Sequence, residues 1–374
     1  MGVMKGDWMK KMIKILMGVL LLLIVLILGF VIAVAVTSGN KVTAFVDEQG
    51  NVLPNSIAEK TFVSINGREN GMFIRGKDKG NPVLLFISGG PGVPQYWLNE
   101  VYREKYPNRL EEYFTVCWWD YMGEGLSYDK DIGPEEITVE KLAEDAVAVA
   151  EYLEERFGVE KVYLMAHSGG TPLGLYLAQN DPDHFYCYFA MGQEVETENG
   201  RYEDGYYFMK EVFEQSGNEK GLRMLNRLAG EENGEFVIKK PDEIRGAWES
   251  VLLMAGCATT REMRSDALEI FFPQIFSGCY TFTEKLHYWQ GKALLSQSSY
   301  AEYGIGVDEP KPAQIPVYFI SGYYDYTTPV TQARKLYEAL EAPDKAFYEF
   351  ADSAHSPLWE ENDAVLEVMS KYVG

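Results

Sequence analysis

The apolar residues of this chain form short continuous runs that alternate with amphipathic segments. A continuous apolar run is typical of a strand buried on both faces, whereas apolar positions that step by three and four residues are typical of a helix. These patterns predict strands at 60–65, 72–76, 82–87, 114–119, from 162 onward, at 185–191, 316–321 and 346–350, and helices at 138–157, 173–180, 330–340 and 357–372.

Strands that alternate with helices predict a mostly parallel sheet that is covered by helices on both faces. The alternation stops from about Glu194 to Pro312, where helix formers, Tyr and Trp predominate, and it resumes afterwards. We therefore expect an α/β fold with an inserted helical cap. The expected boundaries are a linker at 38–58, a core at 59–193 and 313–374, and the cap at 194–312.

The N-terminal region carries an uncharged apolar run from Ile15 to Asn40, preceded by four lysines within residues 5–14. About 20 apolar residues cross a bilayer, and basic residues on this flank favour a cytoplasmic N terminus. We expect a transmembrane helix at 15–37 in the cell membrane, with residues 1–14 cytoplasmic and the remainder outside. The alternative is a cleaved signal peptide, because Ala33-Val34-Ala35 resembles a cleavage site; however, the apolar core of a signal peptide is usually about 7–15 residues long.

The composition narrows the classes of partner. Lys and Arg number 34 and Asp and Glu 56, so 34 − 56 gives a net charge of −22. This charge disfavours nucleic acid and mildly favours amine-bearing ligands. Cys117 and Cys187 lie in predicted core strands, while Cys257 and Cys279 could pair in an oxidising compartment. No CxxC motif or His-rich cluster indicates a metal site, and we expect no cofactor.

The strongest chemical motif is Ala166-His167-Ser168-Gly169-Gly170, which lies between a predicted strand and a predicted helix. Small-x-Ser-x-Gly in this position is typical of a nucleophile elbow, a strained turn that exposes a serine hydroxyl at the end of a sheet. A match of this kind also occurs by chance, so the rest of the chain must supply a base and an orienting acid.

Both partners are present in the required order. In sheet-based hydrolases the nucleophile is followed along the chain by Asp or Glu and then by His. Asp325 directly follows the strand at 316–321, and His355 directly follows the strand at 346–350. The alternative interpretation of Asp325 is an Asx-turn residue before Thr-Thr-Pro, and Asp352 is the reserve acid. The side chain of His167, next to the nucleophile, should point away from it.

A second glycine-rich loop provides candidate donors for an oxyanion. Ser88-Gly89-Gly90-Pro91-Gly92 follows the strand at 82–87, and glycine lets the backbone approach a substrate carbonyl closely. We expect the oxyanion to be bound by the N–H of Gly169 and by that of Gly89 or Gly90.

Together these motifs resemble the proline iminopeptidase (prolyl aminopeptidase) branch of the α/β-hydrolase superfamily. Residues 88–92 look like its His-Gly-Gly-Pro-Gly loop, and residues 120–127 are similar to its Asp-Gln-Arg-Gly-x-Gly-x-Ser motif. Ser88, Tyr121 and Met122 depart from these motifs, and the elbow departs from the Gly-Gly-Ser-Trp-Gly of those peptidases. The resemblance implies that cap carboxylates bind the free α-amine of the substrate; Glu194 is the first candidate in a set with Glu196, Glu198, Glu203 and Asp204.

The sequence thus predicts a membrane-anchored serine hydrolase of the α/β-hydrolase fold, with Ser168, His355 and Asp325 as its triad. Its substrate is expected to be a short peptide or another small molecule. An aminopeptidase-like activity is the first hypothesis, a carboxylesterase of small acyl esters the second, and a non-catalytic binding protein with this fold the third. The oligomeric state is left open.

Overall fold

The computed structural model describes residues 2–196 and 199–373, so that Glu198 lies outside the described residues. Helix α1 (Gly2–Thr37) starts the chain. Its stretch Lys11–Thr37 is the one helix among the described residues that is long and apolar enough to cross a membrane. Most of its apolar side chains are exposed, and Val34, which is buried, is an exception.

The remainder of the chain is built around a central sheet. The strands are β1 (Ile57–Ile65), β2 (Arg68–Gly76), β3 (Val83–Ile87), β4 (Thr115–Trp119), β5 (Val162–His167), β6 (Phe185–Met191), β7 (Ala229–Glu232), β8 (Glu235–Ile238), β9 (Val317–Gly322) and β10 (Lys345–Phe350). Eight of them form one sheet in the order β1-β2-β4-β3-β5-β6-β9-β10. The pairs β1–β2 and β2–β4 are antiparallel and the others are parallel, which confirms a mostly parallel sheet.

Helices cover both faces of this sheet and form most of the insertion between β6 and β9. They are α2 (Tyr96–Val101), α3 (Leu110–Tyr113), α4 (Val139–Phe157), α5 (Thr171–Asn180), α6 (Gly200–Ser216), α7 (Glu219–Leu228), α8 (Pro241–Ala255), α9 (Phe272–Phe276), α10 (Phe282–Leu295), α11 (Val330–Ala339), α12 (Pro357–Glu360) and α13 (Asn362–Ser370). One apolar cluster joins α4 and α5 to one face of the sheet, and a second joins α2, α12 and α13 to the other.

Helix α4 shows how local sequence sets an element. Thr138 caps its start, because its hydroxyl accepts a hydrogen bond from Lys141 N at 3.3 Å. Gly158 ends it in the left-handed conformation at φ 66°, which is common for a glycine at this position. The buried side chains between these caps lie on the stripe that faces the sheet.

Two details of the secondary structure differ from the expected pattern. The insertion is not purely helical, because β7 and β8 form a hairpin there. Its turn is Asn233-Gly234, both at positive φ, a dipeptide that strongly favours a tight hairpin. The helix expected at 357–372 is interrupted at Glu361, whose carboxylate instead accepts hydrogen bonds from Asp352 N and Ser353 Oγ.

The stretch expected as a linker is attached to the folded part of the chain. Gly39 N donates to Tyr280 O at 3.0 Å, and Lys41 N donates to Gly278 O at 3.1 Å. The Thr43 hydroxyl donates to Glu100 at 2.6 Å. The end of α1 is therefore fastened both to the insertion and to α2.

Candidate active site

Ser168 occupies a strained turn at the carboxyl end of β5. Its φ of 53° lies in the left-handed region, which is uncommon for a residue with a side chain. Helix α5 begins three residues later and packs back against the sheet. A Cβ on Gly170 would overlap the carbonyl oxygen of Ser88, so the turn requires glycine there. These are the strain and the close approach that a nucleophile elbow requires.

His355 and Asp325 lie at the carboxyl ends of β10 and β9, on the same edge of the sheet as Ser168. The Nδ1–H of His355 donates to Asp325 Oδ2 at 2.9 Å. Both side chains are buried. Burial opposes a charge on His355, but the carboxylate of Asp325 outweighs it, and the pKa of the imidazole is raised. The pair has the geometry of a general base held by an orienting acid.

Asp325 uses its second oxygen to hold its own loop. Oδ1 accepts hydrogen bonds from Thr327 N at 3.1 Å and Thr328 N at 3.0 Å. The Thr328 hydroxyl lies 3.0 Å from Asp325 Oδ2, 3.2 Å from His355 Nδ1 and 3.1 Å from Gly192 O. The Asx-turn interpretation and the catalytic interpretation of Asp325 are therefore compatible, because each uses a different oxygen.

His167 helps to position His355 through a hydrogen bond to its backbone. Gln95 Nε2 donates to His167 Nδ1 at 2.7 Å, and the other ring nitrogen donates to the His355 carbonyl at 2.8 Å. Burial, helped by the neighbouring His355, lowers the pKa of His167 to about 3, so the ring is neutral and its Nε2–H is available for that bond. Sequence reasoning did not assign this role, which depends on a contact between residues far apart in the chain.

The loop at 88–92 lies against the elbow. A Cβ on Gly89 would be 2.9 Å from Ser168 Cβ and 3.6 Å from its Oγ. Within the described part of the chain, Gly89 N–H has no hydrogen-bond partner. The phenol of Tyr121 accepts a hydrogen bond from Gly92 N at 3.1 Å, so the residue that departs from the family motif fixes the end of this loop.

Beneath that loop lie two buried carboxyl groups. Leu126 N donates to Asp120 Oδ2 at 2.8 Å, and Tyr280 OH donates to the same oxygen at 3.3 Å. Burial raises the pKa of Asp120 to about 8. Burial and the charge of Asp120 raise the pKa of Glu124 well above its usual range, because two neighbouring buried carboxyl groups resist ionising together.

The insertion brings charged groups near the His355–Asp325 pair. Glu194 is half-buried, and its backbone N–H donates to Thr171 Oγ1 at 2.8 Å. Burial raises the pKa of Glu194 against the opposing charges of Arg201 and His355. Burial and neighbouring Asp266 raise the pKa of Glu249, on α8, to about 7. Glu194, Glu249 and Arg201 all interact electrostatically with His355.

A mostly apolar cavity is lined by residues that adjoin the pair and the glycine-rich loop. It is lined by Ser356, directly after His355, by Gln95, which binds His167, and by Val93 at the end of the glycine-rich loop. Its remaining lining includes Trp97, Leu98, Tyr102, Met263, Ile270 and Trp359. The cavity could accept an apolar group of a substrate that is bound near Ser168.

The remaining sequence candidates lie apart from this site. Asp352 is exposed, and its side chain makes no hydrogen bond or ion pair within the described chain. All four cysteines, including Cys257 and Cys279, are buried free thiols. Among residues 2–196 and 199–373, no group of three or more His, Cys, Asp or Glu side chains has an arrangement that could hold a metal ion.

The sheet topology, the strained turn at Ser168 and the inserted cap elements define an α/β-hydrolase. The family described as alpha/beta hydrolase fold matches residues 82–235, and the chain belongs to this family. It is 31% identical over 324 residues to a probable aminopeptidase, YbaC, of Bacillus subtilis strain 168, an alignment that covers 85% of this chain and 96% of that protein.

Solved structures support the same fold. A proline iminopeptidase of Mycobacterium smegmatis superposes with a TM-score of 0.58 at 15% identity, over 84% of this chain and 97% of that one. A 2-hydroxy-6-oxo-6-phenylhexa-2,4-dienoate hydrolase of Rhodococcus sp. strain RHA1 superposes with a TM-score of 0.53 at 15% identity, over 85% of this chain and 99% of that one. The predicted fold class and the predicted resemblance to the proline iminopeptidase branch are both confirmed.

Proposed function

We propose that this α/β-hydrolase is a membrane-anchored serine hydrolase that works through an acyl-enzyme. Ser168 Oγ attacks the carbonyl carbon of an ester or amide while His355 Nε2 takes its proton. The developing oxyanion accepts hydrogen bonds from the N–H groups of Gly169 and of Gly89 or Gly90. His355 then protonates the leaving amine or alcohol, and water releases the acyl group by the reverse sequence.

One observation carries this proposal: a buried His355–Asp325 pair with a 2.9 Å hydrogen bond at the same edge of the sheet as a strained, partly exposed serine. An aspartate on Nδ1 holds the imidazole with Nε2 free to accept a proton. The raised pKa of His355 favours the imidazolium that forms during attack.

For the substrate we favour a short peptide or amino-acid derivative with a free α-amine. Glu194 and Glu249 place two carboxyl groups in the electrostatic environment of His355. A half-buried carboxylate such as these two attracts an ammonium group more strongly than a fully exposed one does. The similarity to a probable aminopeptidase supports the same substrate class.

A carboxylesterase activity is the second candidate. The observation that favours it is the apolar cavity beside Ser356 and Gln95, because an acyl chain needs apolar lining but no amine recognition.

A fluorophosphonate probe tests the nucleophile. We expect it to label the folded protein and to fail on Ser168→Ala. Ser127→Ala is the matched control, since Ser127 is a buried serine that binds Gly71 N and the Asp120 carbonyl; it should keep its labelling. A folded wild-type protein that is not labelled would overturn the serine mechanism.

Paired reporter substrates separate the two activities. We expect higher kcat/KM on a prolyl or small apolar aminoacyl reporter than on an acetyl ester, and Glu194→Gln should raise KM for the former alone. A hydrogen bond to a charged group is worth about 1.5–3 kcal/mol, so the rise should be roughly ten- to a hundredfold. Glu214→Gln, the same change at an exposed position of α6, should leave KM for both reporters unchanged. Unchanged KM in Glu194→Gln would count against amine recognition.

Membrane fractionation tests the anchor. The protein should remain in the membrane pellet after alkaline carbonate extraction, and protease added outside spheroplasts should digest the catalytic part. Recovery in the soluble fraction with an N terminus near Ala35 would indicate a cleaved signal peptide instead.

A further inference from the structure

The insertion carries an apolar helical stretch on the same side of the molecule as α1. Residues Ala267–Phe271 form a wider helical turn that continues directly into α9, and together they make an apolar helix, Ala267–Phe276. Leu268 and Phe272 on this stretch are 69% and 50% exposed. Large apolar side chains that are exposed one turn apart on the same helix mark a candidate interaction surface.

This stretch is in direct contact with the candidate membrane span. The rings of Phe30 on α1 and Phe276 on α9 pack edge to face with centroids 5.9 Å apart. The backbone bonds from Gly39 and Lys41 to residues 280 and 278 continue this contact past the end of α1. These contacts fix the position of the insertion along the axis of α1.

The position of Phe30 along α1 sets the depth of this contact in the membrane. The uncharged run begins at Ile15, and a hydrocarbon core of about 30 Å takes about 20 residues at about 1.5 Å per residue. The outer boundary of the core therefore falls near residue 34. Phe30 lies about four residues, or about 6 Å, inside it, and a tilted helix would put Phe30 deeper still.

The one charged residue of the stretch does not oppose burial in lipid. The Glu269 carboxylate accepts hydrogen bonds from Arg264 N at 2.7 Å and Ser265 N at 3.2 Å, so its charge is satisfied at the start of the stretch. The exposed side is formed by Leu268 and Phe272. Leu and Phe side chains on the apolar side of a helix can bury at the boundary between headgroups and acyl chains of a membrane.

We propose that Ala267–Phe276 docks on the outer leaflet of the membrane that α1 crosses, with Leu268 and Phe272 inserted at the boundary between headgroups and acyl chains. This inference rests on the proposed anchoring. The surface that it contacts is the lipid bilayer, because the contact between Phe30 and Phe276 places the carboxyl end of the stretch at that depth. The same stretch contributes Ile270 to the apolar cavity beside His355, so docking brings one wall of that cavity to the lipid surface.

Depth-dependent fluorescence quenching tests the proposal in the full chain. Because the native cysteines are buried, an environment-sensitive fluorophore can be attached at Leu268→Cys or Phe272→Cys after reconstitution in phosphatidylcholine vesicles. Leu22→Cys, in the middle of the apolar run, reports on the anchor. Tyr186→Cys is the control, because Tyr186 is also a large exposed side chain, at 43%, and lies near the amino end of β6.

We expect a spin label close to the glycerol of the lipid to quench the fluorophore at 268 and 272, a label near the end of the acyl chain to quench it at 22, and neither to quench it at 186. Quenching at 22 with none at 268 and 272 would overturn the docking while leaving the anchor intact. No quenching at 22 would overturn both. If 268 and 272 are shielded only as protein density rises, their occupant is a second copy of the chain and the proposal is wrong.

Discussion

Gly192 offers the sharpest test of how tightly the His355–Asp325 pair is confined. A Cβ at this position would lie 3.0 Å from His355 Cε1, 3.1 Å from His355 Nδ1 and 3.3 Å from Asp325 Oδ2. Carbon atoms in ordinary contact are about 3.5–4.0 Å apart, so in Gly192→Ala the ring must retreat by roughly 0.5–1 Å. Misplacing a catalytic group by about 1 Å costs on the order of a hundredfold in rate. We expect kcat to fall about ten- to a hundredfold with little change in KM.

The backbone cost of this substitution can be measured separately. Gly192 has a φ of 57°, and an alanine in the left-handed region costs about 1–2 kcal/mol. Gly158→Ala is the matched control, since Gly158 has a φ of 66° and nothing lies within 4 Å of its Cβ position. Urea unfolding should show the backbone cost alone in Gly158→Ala and a larger loss in Gly192→Ala, where the new Cβ also displaces the buried ring. Reporter hydrolysis should fall only in Gly192→Ala. Equal activity in the two variants would refute the reasoning.

Three further predictions follow from the loops around the site. Asp325→Asn should lower kcat by roughly 10⁴-fold and shift the acid limb of the kcat/KM profile to lower pH, because the carboxylate is what raises the pKa of His355; an unshifted limb would argue against this pairing. Tyr121→Phe leaves Gly92 N–H unpaired, at a cost of about 1–3 kcal/mol in unfolding free energy, and should lower kcat more than it raises KM; a change in KM alone would contradict a role in the oxyanion loop. Asp120 has a folded pKa of about 8 against about 3.9 when unfolded, so its contribution to stability is complete below about pH 4 and is lost as the pH rises to about 8. In that window Asp120→Asn should reduce the pH dependence of unfolding by up to about 1.4 kcal/mol per pH unit, and parallel curves for variant and wild type would contradict the raised pKa.

The sequence was sufficient for the features that depend on short segments. Continuous apolar runs located the central strands because strands buried on both faces carry few polar residues. Ser168, Asp325 and His355 were brought to one edge of the sheet because each directly follows a parallel strand. Their catalytic roles stay predictions until a variant is assayed.

Other parts of the site could not be predicted because they depend on contacts between distant segments. Glu249 comes near His355 only through the packing of the insertion over the sheet, and no local pattern marks it. The role of His167 depends on Gln95 and on the His355 backbone. The hairpin of β7 and β8 is different, since Asn233-Gly234 was a readable turn signal in a stretch otherwise rich in helix formers.

The backbone bonds at residues 39 and 41 have a practical consequence for producing the protein without its apolar helix. Tyr280 accepts the bond from Gly39 through its carbonyl and donates its own hydroxyl to Asp120, beneath the loop at 88–92. A soluble version that begins at residue 39 retains these bonds, whereas one that begins at Ile57, where the sheet starts, loses them together with the Thr43–Glu100 bond. The choice of first residue therefore determines whether assays in solution measure the loop at 88–92 with the same support beneath it as in the full chain.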